Sequence, residues 1–132
     1  MATAIEGKTT IGAISPFFIV RQVGRSLEFY GRLGFEPRFR EPEVGPFFAI
    51  VGRGGAQIFL KHVGVEAQPN VGRHQWVPWD AFVFAPDPDA LAKEFGEAGV
   101  DMAEPVGDRK DGLRGLAVRD PDGYVLYFGH PR

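Results

Sequence analysis

The chain contains no cysteine. That removes disulfides, thiolate nucleophiles and cysteine-based zinc sites together, and it fits a reducing compartment. A charge of one sign is missing too. The net charge is −2 and no Lys/Arg cluster tracks one face, so nucleic-acid binding is not expected. Long hydrophobic runs are also lacking. The longest apolar stretch, Ile11 to Val20, falls well short of the roughly 20 residues that span a bilayer. Only Lys8 precedes it and no small-residue cleavage pattern follows, which argues against a signal peptide. A cytoplasmic protein without a membrane segment is the expectation. The three histidines, His62, His74 and His130, have no helix or strand spacing that would bring two of them onto one metal.

Aromatics are plentiful: twelve Phe, three Tyr and two Trp. They suit a core, and they equally suit an apolar pocket. The 132 residues fit one domain, or two half-size units sharing a core.

Near the end, Asp120-Pro121-Asp122-Gly123 separates the apolar runs Leu113 to Val118 and Tyr124 to Phe128. Pro121 presets φ, Asp120 can bond the backbone and Gly123 accepts positive φ, so this is a hairpin turn. Ile14 to Val20 reads as a strand, apolar on both faces. Gln22 to Leu33 reads as a helix, with Val23, Leu27, Tyr30 and Leu33 as its stripe and Gly34 as its C′ residue. Strands follow at about Phe35 to Arg40, Phe47 to Val51 and Ala56 to Lys61. The Gly52–Gly55 run is a turn; it lacks the Lys-Ser/Thr ending of a phosphate loop and precedes no helix. The connection from His62 to Val77 exceeds the usual loop length, so it is functional or covers something.

The pattern then restarts. Asp80 to Ala85 is a strand. Asp87-Pro88-Asp89 opens a helix with an N-cap, an N1 proline and an acidic first turn. Leu91 and Phe95 form its apolar face and Gly99 ends it. Strands follow near Met102, at Leu113 to Val118 and at Tyr124 to Phe128, with 107–112 as a polar loop. The terminating glycines Gly34 and Gly99 are thus 65 residues apart. Two βαβββ modules are expected: about 12–62 and 79–130, joined by a loop over 63–78, in one domain spanning 1–132. The fold class is α+β. The modules form a curled, mostly antiparallel mixed sheet around a cleft, with helices on its outer face. Each module is too small to bury its own sheet, so two must pair within one chain or between chains.

Three segments carry a family resemblance. Val20-Arg21-Gln22-Val23-Gly24-Arg25-Ser26-Leu27-Glu28-Phe29-Tyr30 with Leu33-Gly34-Phe35 is similar to the first strand-to-helix stretch of the vicinal oxygen chelate superfamily. Glu97-Ala98-Gly99-Val100 is similar to the end of its second helix, and Asp120-Pro121-Asp122-Gly123-Tyr124 to the turn before its last strand. This superfamily includes glyoxalases, extradiol dioxygenases and bleomycin-resistance proteins. Metal-using members place four ligands, usually His, Glu, His and Glu, on four strands facing the hollow. The resemblance puts Ser15, Ile58 (within one residue, Gln57 being the other candidate), Asp80 and Tyr127 at those positions. Such a set does not make a divalent-metal site, because about three protein ligands at fixed geometry are needed. The resemblance is closest to the bleomycin-resistance branch, whose members sequester an antibiotic without chemistry. It implies no cofactor, no catalytic residue, a small apolar or aromatic ligand, and a homodimer.

Strand alternation then sorts the side chains. With Ser15, Ile58, Asp80 and Tyr127 in the hollow, Phe17, Ile19, Leu60, Phe82, Phe84 and Val125 join them. Phe18, Val20, Phe59, Val83, Leu126 and Phe128 pack under the helices. The candidate ligand-binding residues are Ser15, Phe17, Ile58, Trp76, Trp79, Asp80, Phe82 and Tyr127. Each has a structural alternative: the phenylalanines as collapsed core, the tryptophans as a lid or dimer contact, Asp80 as an ion-pair partner of Arg73 or Arg114. The alternative function is a metal-dependent glyoxalase-like lyase or isomerase, or a dioxygenase, with ligands elsewhere. Metal-free acid–base chemistry by Asp80 is a further one.

Overall fold

The computed structural model describes residues 6–132; residues 1–5 lie outside the described residues. The order is β1 (Phe17–Ile19), α1 (Val23–Arg32), β2 (Glu36–Glu41), β3 (Phe48–Arg53), β4 (Ala56–Lys61), then β5 (Ala81–Phe84), α2 (Pro88–Glu97), β6 (Met102–Asp108), β7 (Leu113–Arg119) and β8 (Val125–Pro131). The two βαβββ modules build two four-stranded mixed sheets, ordered β1-β4-β3-β2 and β5-β8-β7-β6. In each, the first strand runs parallel to the fourth and the rest are antiparallel.

Both helices end as their sequences dictate. Gln22 stands at the N-cap position of α1 with no side-chain capping bond, and Gly34 takes φ +81° just beyond the C-cap Leu33. The Asp87 carboxylate accepts from the Ala90 N–H at 3.1 Å, with Pro88 at the first helical position. The strand expected near Met102 extends through Gly107 and Asp108, where the sequence suggests a loop. Pairing with β7 overrides the local polarity there, with irregular register on either side of Glu104.

One core joins the modules. The α1 stripe (Val23, Tyr30, Leu33) and Phe18, Val51, Ile58 and Leu60 meet Phe95, Leu116, Val118, Leu126 and Phe128. A fully buried Leu or Phe stabilises by roughly 1.5–3 kcal/mol, so this shared cluster carries the association of the two halves.

Registers give the internal equivalences. Phe17 pairs with Phe59 as Phe82 pairs with Tyr127. Phe48 pairs with Lys61 as Gly115 pairs with Gly129. The second module's counterpart of Tyr127 is therefore Phe59 in the first, and not Ile58.

Candidate functional site

Each sheet turns its other face away from the shared core. In the first module that face is built by Phe17, Phe39, Phe48 and Phe59. Phe17 lies 6.2 Å from Phe48 and 5.6 Å from Phe59, and Phe48 lies 5.8 Å from both Phe39 and Phe59, centroid to centroid. These are tilted and edge contacts of the kind aromatic quadrupoles favour. The face is open: Phe17 is 58% exposed and Phe39 46%. At its edge the Gln57 amide donates to the Ser15 hydroxyl at 3.4 Å and accepts from Arg38 at 3.1 Å.

The expected facing is corrected on one strand, β4. Ile58 is 2% exposed and Leu60 fully buried, both in the helix-side core, while Phe59 stands on the open face. Along Ala56–Lys61 the polar Gln57 and Lys61 alternate onto the side of Phe59, and that side is the open one, while Ala56, Ile58 and Leu60 form the wholly apolar face turned to the core. The expected facing of Phe18, Val20, Leu126 and Phe128 is the one observed.

In the second module the equivalent face is filled. Tyr127 is fully buried, packed with Ala117 and Val125 and covered by Val71, Trp79 and Leu113. Trp79 stacks on its ring at 4.4 Å, and Phe82 lies 5.6 Å away. Arg109, from the β6–β7 turn, lays its guanidinium over Trp79 at 5.0 Å and Tyr127 at 5.7 Å, a cation–π arrangement. Glu104 at 2.6 Å and Asp111 at 3.0 Å hold that guanidinium. The Tyr127 hydroxyl has no hydrogen-bond partner among the described residues, and burial raises its pKa above the ordinary value. The long connection thus covers something, namely Tyr127. Trp76, on the same connection, is 85% exposed and forms no aromatic pair.

Asp80 pairs with neither Arg73 nor Arg114. Its two oxygens accept the Asn70 N–H at 2.7 Å and the Val125 N–H at 2.9 Å, clamping the connecting loop to β8. Each oxygen thus spends a lone pair on holding the backbone in place. Arg73 turns back to Pro69 and Asn70, and Arg114 pairs with Asp89 and Asp108.

The Asp120-Pro121-Asp122-Gly123 turn forms as its chemistry dictates. Gly123 has φ +94°, and the Asp120 carboxylate accepts from the N–H groups of Asp122 and Tyr124, both at 2.9 Å. It also accepts from the Tyr30 hydroxyl at 2.8 Å. Burial nevertheless outweighs these donors and pushes its pKa up to about 6. Tyr124 stacks on Phe18 at 4.2 Å and donates to the Ile19 carbonyl at 2.7 Å. The turn is therefore a lock between the modules.

The sequence-expected residues form two groups, Ser15 and Phe17 on the first face and Trp79, Phe82 and Tyr127 on the second, and no aromatic pair links them. Phe39, Phe48, Phe59 and Arg109 were not among those expected. The internal repeat carries the signal for Phe59, as the counterpart of Tyr127; nothing in the sequence marks Arg109. A metal of the kind used by chelating relatives does not fit these positions. Phe59 offers no donor, both Asp80 oxygens are engaged, and no group of three His, Asp or Glu able to hold a metal occurs among the described residues.

Comparison with known proteins agrees with this architecture. The structure of TioX from Micromonospora sp. ML1 superposes with a TM-score of 0.71 at 22% identity, covering 92% of this chain and 99% of that one. A bleomycin-binding protein complexed with bleomycin gives 0.70 at 19% identity over 92% and 100%. The bleomycin-binding protein of Streptomyces verticillus, complexed with copper(II)-bleomycin, gives 0.66 at 28% identity over 95% and 100%. No curated protein matches the sequence. No helix among the described residues is long and apolar enough to cross a membrane. The family profile described as Glyoxalase/Bleomycin resistance protein/Dioxygenase superfamily matches residues 10–128, and the chain belongs to that superfamily.

Proposed function

We propose that this protein binds and sequesters a small, flat, largely apolar molecule of antibiotic type, without chemistry. The observation that carries this reading is the open face of Phe17, Phe39, Phe48 and Phe59. Large aromatics left in water on a sheet face mark a binding surface, and offset rings grip a planar molecule without a directional donor set. The 28% identity to a bleomycin-binding protein supports an antibiotic-like ligand.

A homodimer completes the site. Residues 12–62 carry seven Lys/Arg against four Asp/Glu, whereas 79–130 carry five against eleven. The first module of one copy therefore complements the second module of another, closing the open phenylalanine face against an acidic partner surface.

Calorimetric titration with bleomycin-type glycopeptides and other planar antibiotics tests the reading, with sedimentation giving the assembly state. Saturable binding is expected, weakened at least about tenfold by Phe17→Ala or Phe59→Ala, the scale of one lost aromatic contact. No heat and no thermal shift across the panel would sink the antibiotic reading.

A further inference from the structure

The modules meet at two places related by the internal repeat, and the two are filled differently. At one, Tyr124 lies parallel to Phe18, at 4.2 Å and 4° between planes, and its hydroxyl donates to the Ile19 carbonyl at 2.7 Å. Ile19 belongs to β1, which among the described residues pairs only with β4, so that carbonyl lies on the outer edge of the sheet they form.

The helix offset of 65 residues carries Phe18 to Val83 and Ile19 to Phe84. The equivalence of Phe59 and Tyr127 carries Tyr124 to Ala56. At the second place a valine and an alanine thus stand where the first has two stacked rings. The missing volume is real: a cavity of about 660 Å³ opens there, lined by both modules, with Ala56, Val83, Phe84, Ala90 and Leu91 in its wall. That size suits a drug-sized molecule. Among the described residues β5 pairs only with β8. The Ala85 N–H donates to Gly129, so Ala85 faces β8, and alternation turns the Phe84 carbonyl to the free edge. No donor among the described residues outside the ladder reaches it.

We propose that this cavity is a second small-molecule site, specific for phenols. The ligand ring lies against Val83 and Ala56 as Tyr124 lies against Phe18, and its hydroxyl donates to the Phe84 carbonyl as Tyr124 donates to Ile19. Arg53 and Glu94, joined at 2.6 Å, flank the opening and are satisfied by each other, and the ligand hydroxyl answers the Phe84 carbonyl. The site is separate from the phenylalanine face and takes a different part of the molecule's chemistry.

Methyl-resolved NMR titration with p-cresol, the tyrosine side chain as a free molecule, tests this directly. The Ala56, Val83 and Ala90 methyl signals are expected to shift saturably in the wild-type protein. Toluene, lacking the hydroxyl, is expected to bind about tenfold more weakly, the ratio one neutral hydrogen bond supplies. Ala56→Tyr, which copies Tyr124 into the gap, is expected to abolish the shifts, and Phe17→Ala to leave them intact. Equal binding of toluene overturns the phenol assignment. Shifts confined to Ala117 and Val125, or no saturable shift, overturn the site. If Ala56→Tyr does not fold, Val83→Phe and the wild-type titration decide the matter alone.

Discussion

The two modules share a fold and treat their hollow faces in opposite ways. The second module places Gly115 and Gly129 opposite each other, and the Tyr127 ring lies over both of them. The first module has Phe48 and Lys61 at the equivalent pair. There the ring of Phe59 cannot lie down on the strands and instead stacks with standing neighbours. Small residues thus let one aromatic fold flat and be capped, and large ones keep a whole face of aromatics open. The residues that decide between a filled and an open hollow are the neighbours of the aromatic, not the aromatic itself.

The sharpest way to break that contrast is to give the second module a side chain where it has none. A Cβ on Gly129 would sit 2.7 Å from the Tyr127 ring and collide with the Arg114 carbonyl. One on Gly115 would meet the same ring and the Phe128 carbonyl. Backbone atoms on the facing strand cannot swing aside, so Gly129→Ala is expected to cost about 3 kcal/mol or more. In the first module the nearest atoms to a Cβ on Gly52 all belong to the Arg38 guanidinium, with Nε at 2.5 Å. That exposed side chain can move away, so Gly52→Ala is expected to cost about 1 kcal/mol or less. Urea denaturation of the two variants reads the difference, and equal costs would refute it.

The next contrast lies at the module interface, between the buried Asp120 turn and the Arg53–Glu94 ion pair. Burial raises the Asp120 pKa from 3.8 to about 6. The folded state therefore holds a proton that the unfolded state has released, and stability is greatest below pH 4. It is expected to fall on the order of 2–3 kcal/mol as pH rises through 6. Asp120→Asn should flatten that segment. The exposed carboxylates Asp89, Asp111 and Glu94 act in the other direction, their pKa values lowered by Arg114, Arg109 and Arg53; their share is lost only as pH falls below about 4. A stability profile that rises between pH 4 and 6 would overturn this assignment.

Smaller effects follow at the same pair of places. Tyr30→Phe removes one of three donors from a buried carboxylate and is expected to cost about 1–2 kcal/mol. Arg53→Met removes a largely exposed ion pair with Glu94 and a bond to the Leu33 carbonyl, and is expected to cost under about 1 kcal/mol. Thermal melts at pH 7 rank the two, and the reverse order would place the lock on the wrong side of the interface.

The lock was legible from the sequence because turn chemistry is local. Asp120, Pro121 and Gly123 each state a backbone requirement within four residues, and the glycines Gly34 and Gly99 state where helices stop. The repeat then supplied the architecture. The hollow was legible only in part, because its content depends on register across strands. On β4 the family motif fixes the inward position only to within one residue, so Ile58 and Phe59 exchange roles with a single slip, although Gln57 and Lys61 mark the Phe59 side as the wet one. Pairing with Phe17 settles the register. Arg109 was invisible for a different reason. A cation in a polar turn reads as solvated, and its place over Trp79 and Tyr127 arises from the hairpin's fold-back, which no local pattern encodes.

The smallest expected stability effect is the one that speaks most directly to function. Phe17 is 58% exposed, so its truncation removes little buried area, and Phe17→Ala is expected to change stability by less than about 1 kcal/mol. Tyr127→Ala, its opposite in exposure, is expected to cost about 3–5 kcal/mol, because a fully buried ring leaves a cavity under Trp79. Within one copy Phe17 contributes little to folding, as the proposed binding role requires. The pair therefore separates the two uses of aromatics in this chain. Ligand affinity should fall with Phe17→Ala at nearly unchanged melting temperature. Were Phe17→Ala instead to melt several degrees lower with binding intact, the open face would be part of the folding core, and the difference between the modules would be one of packing alone.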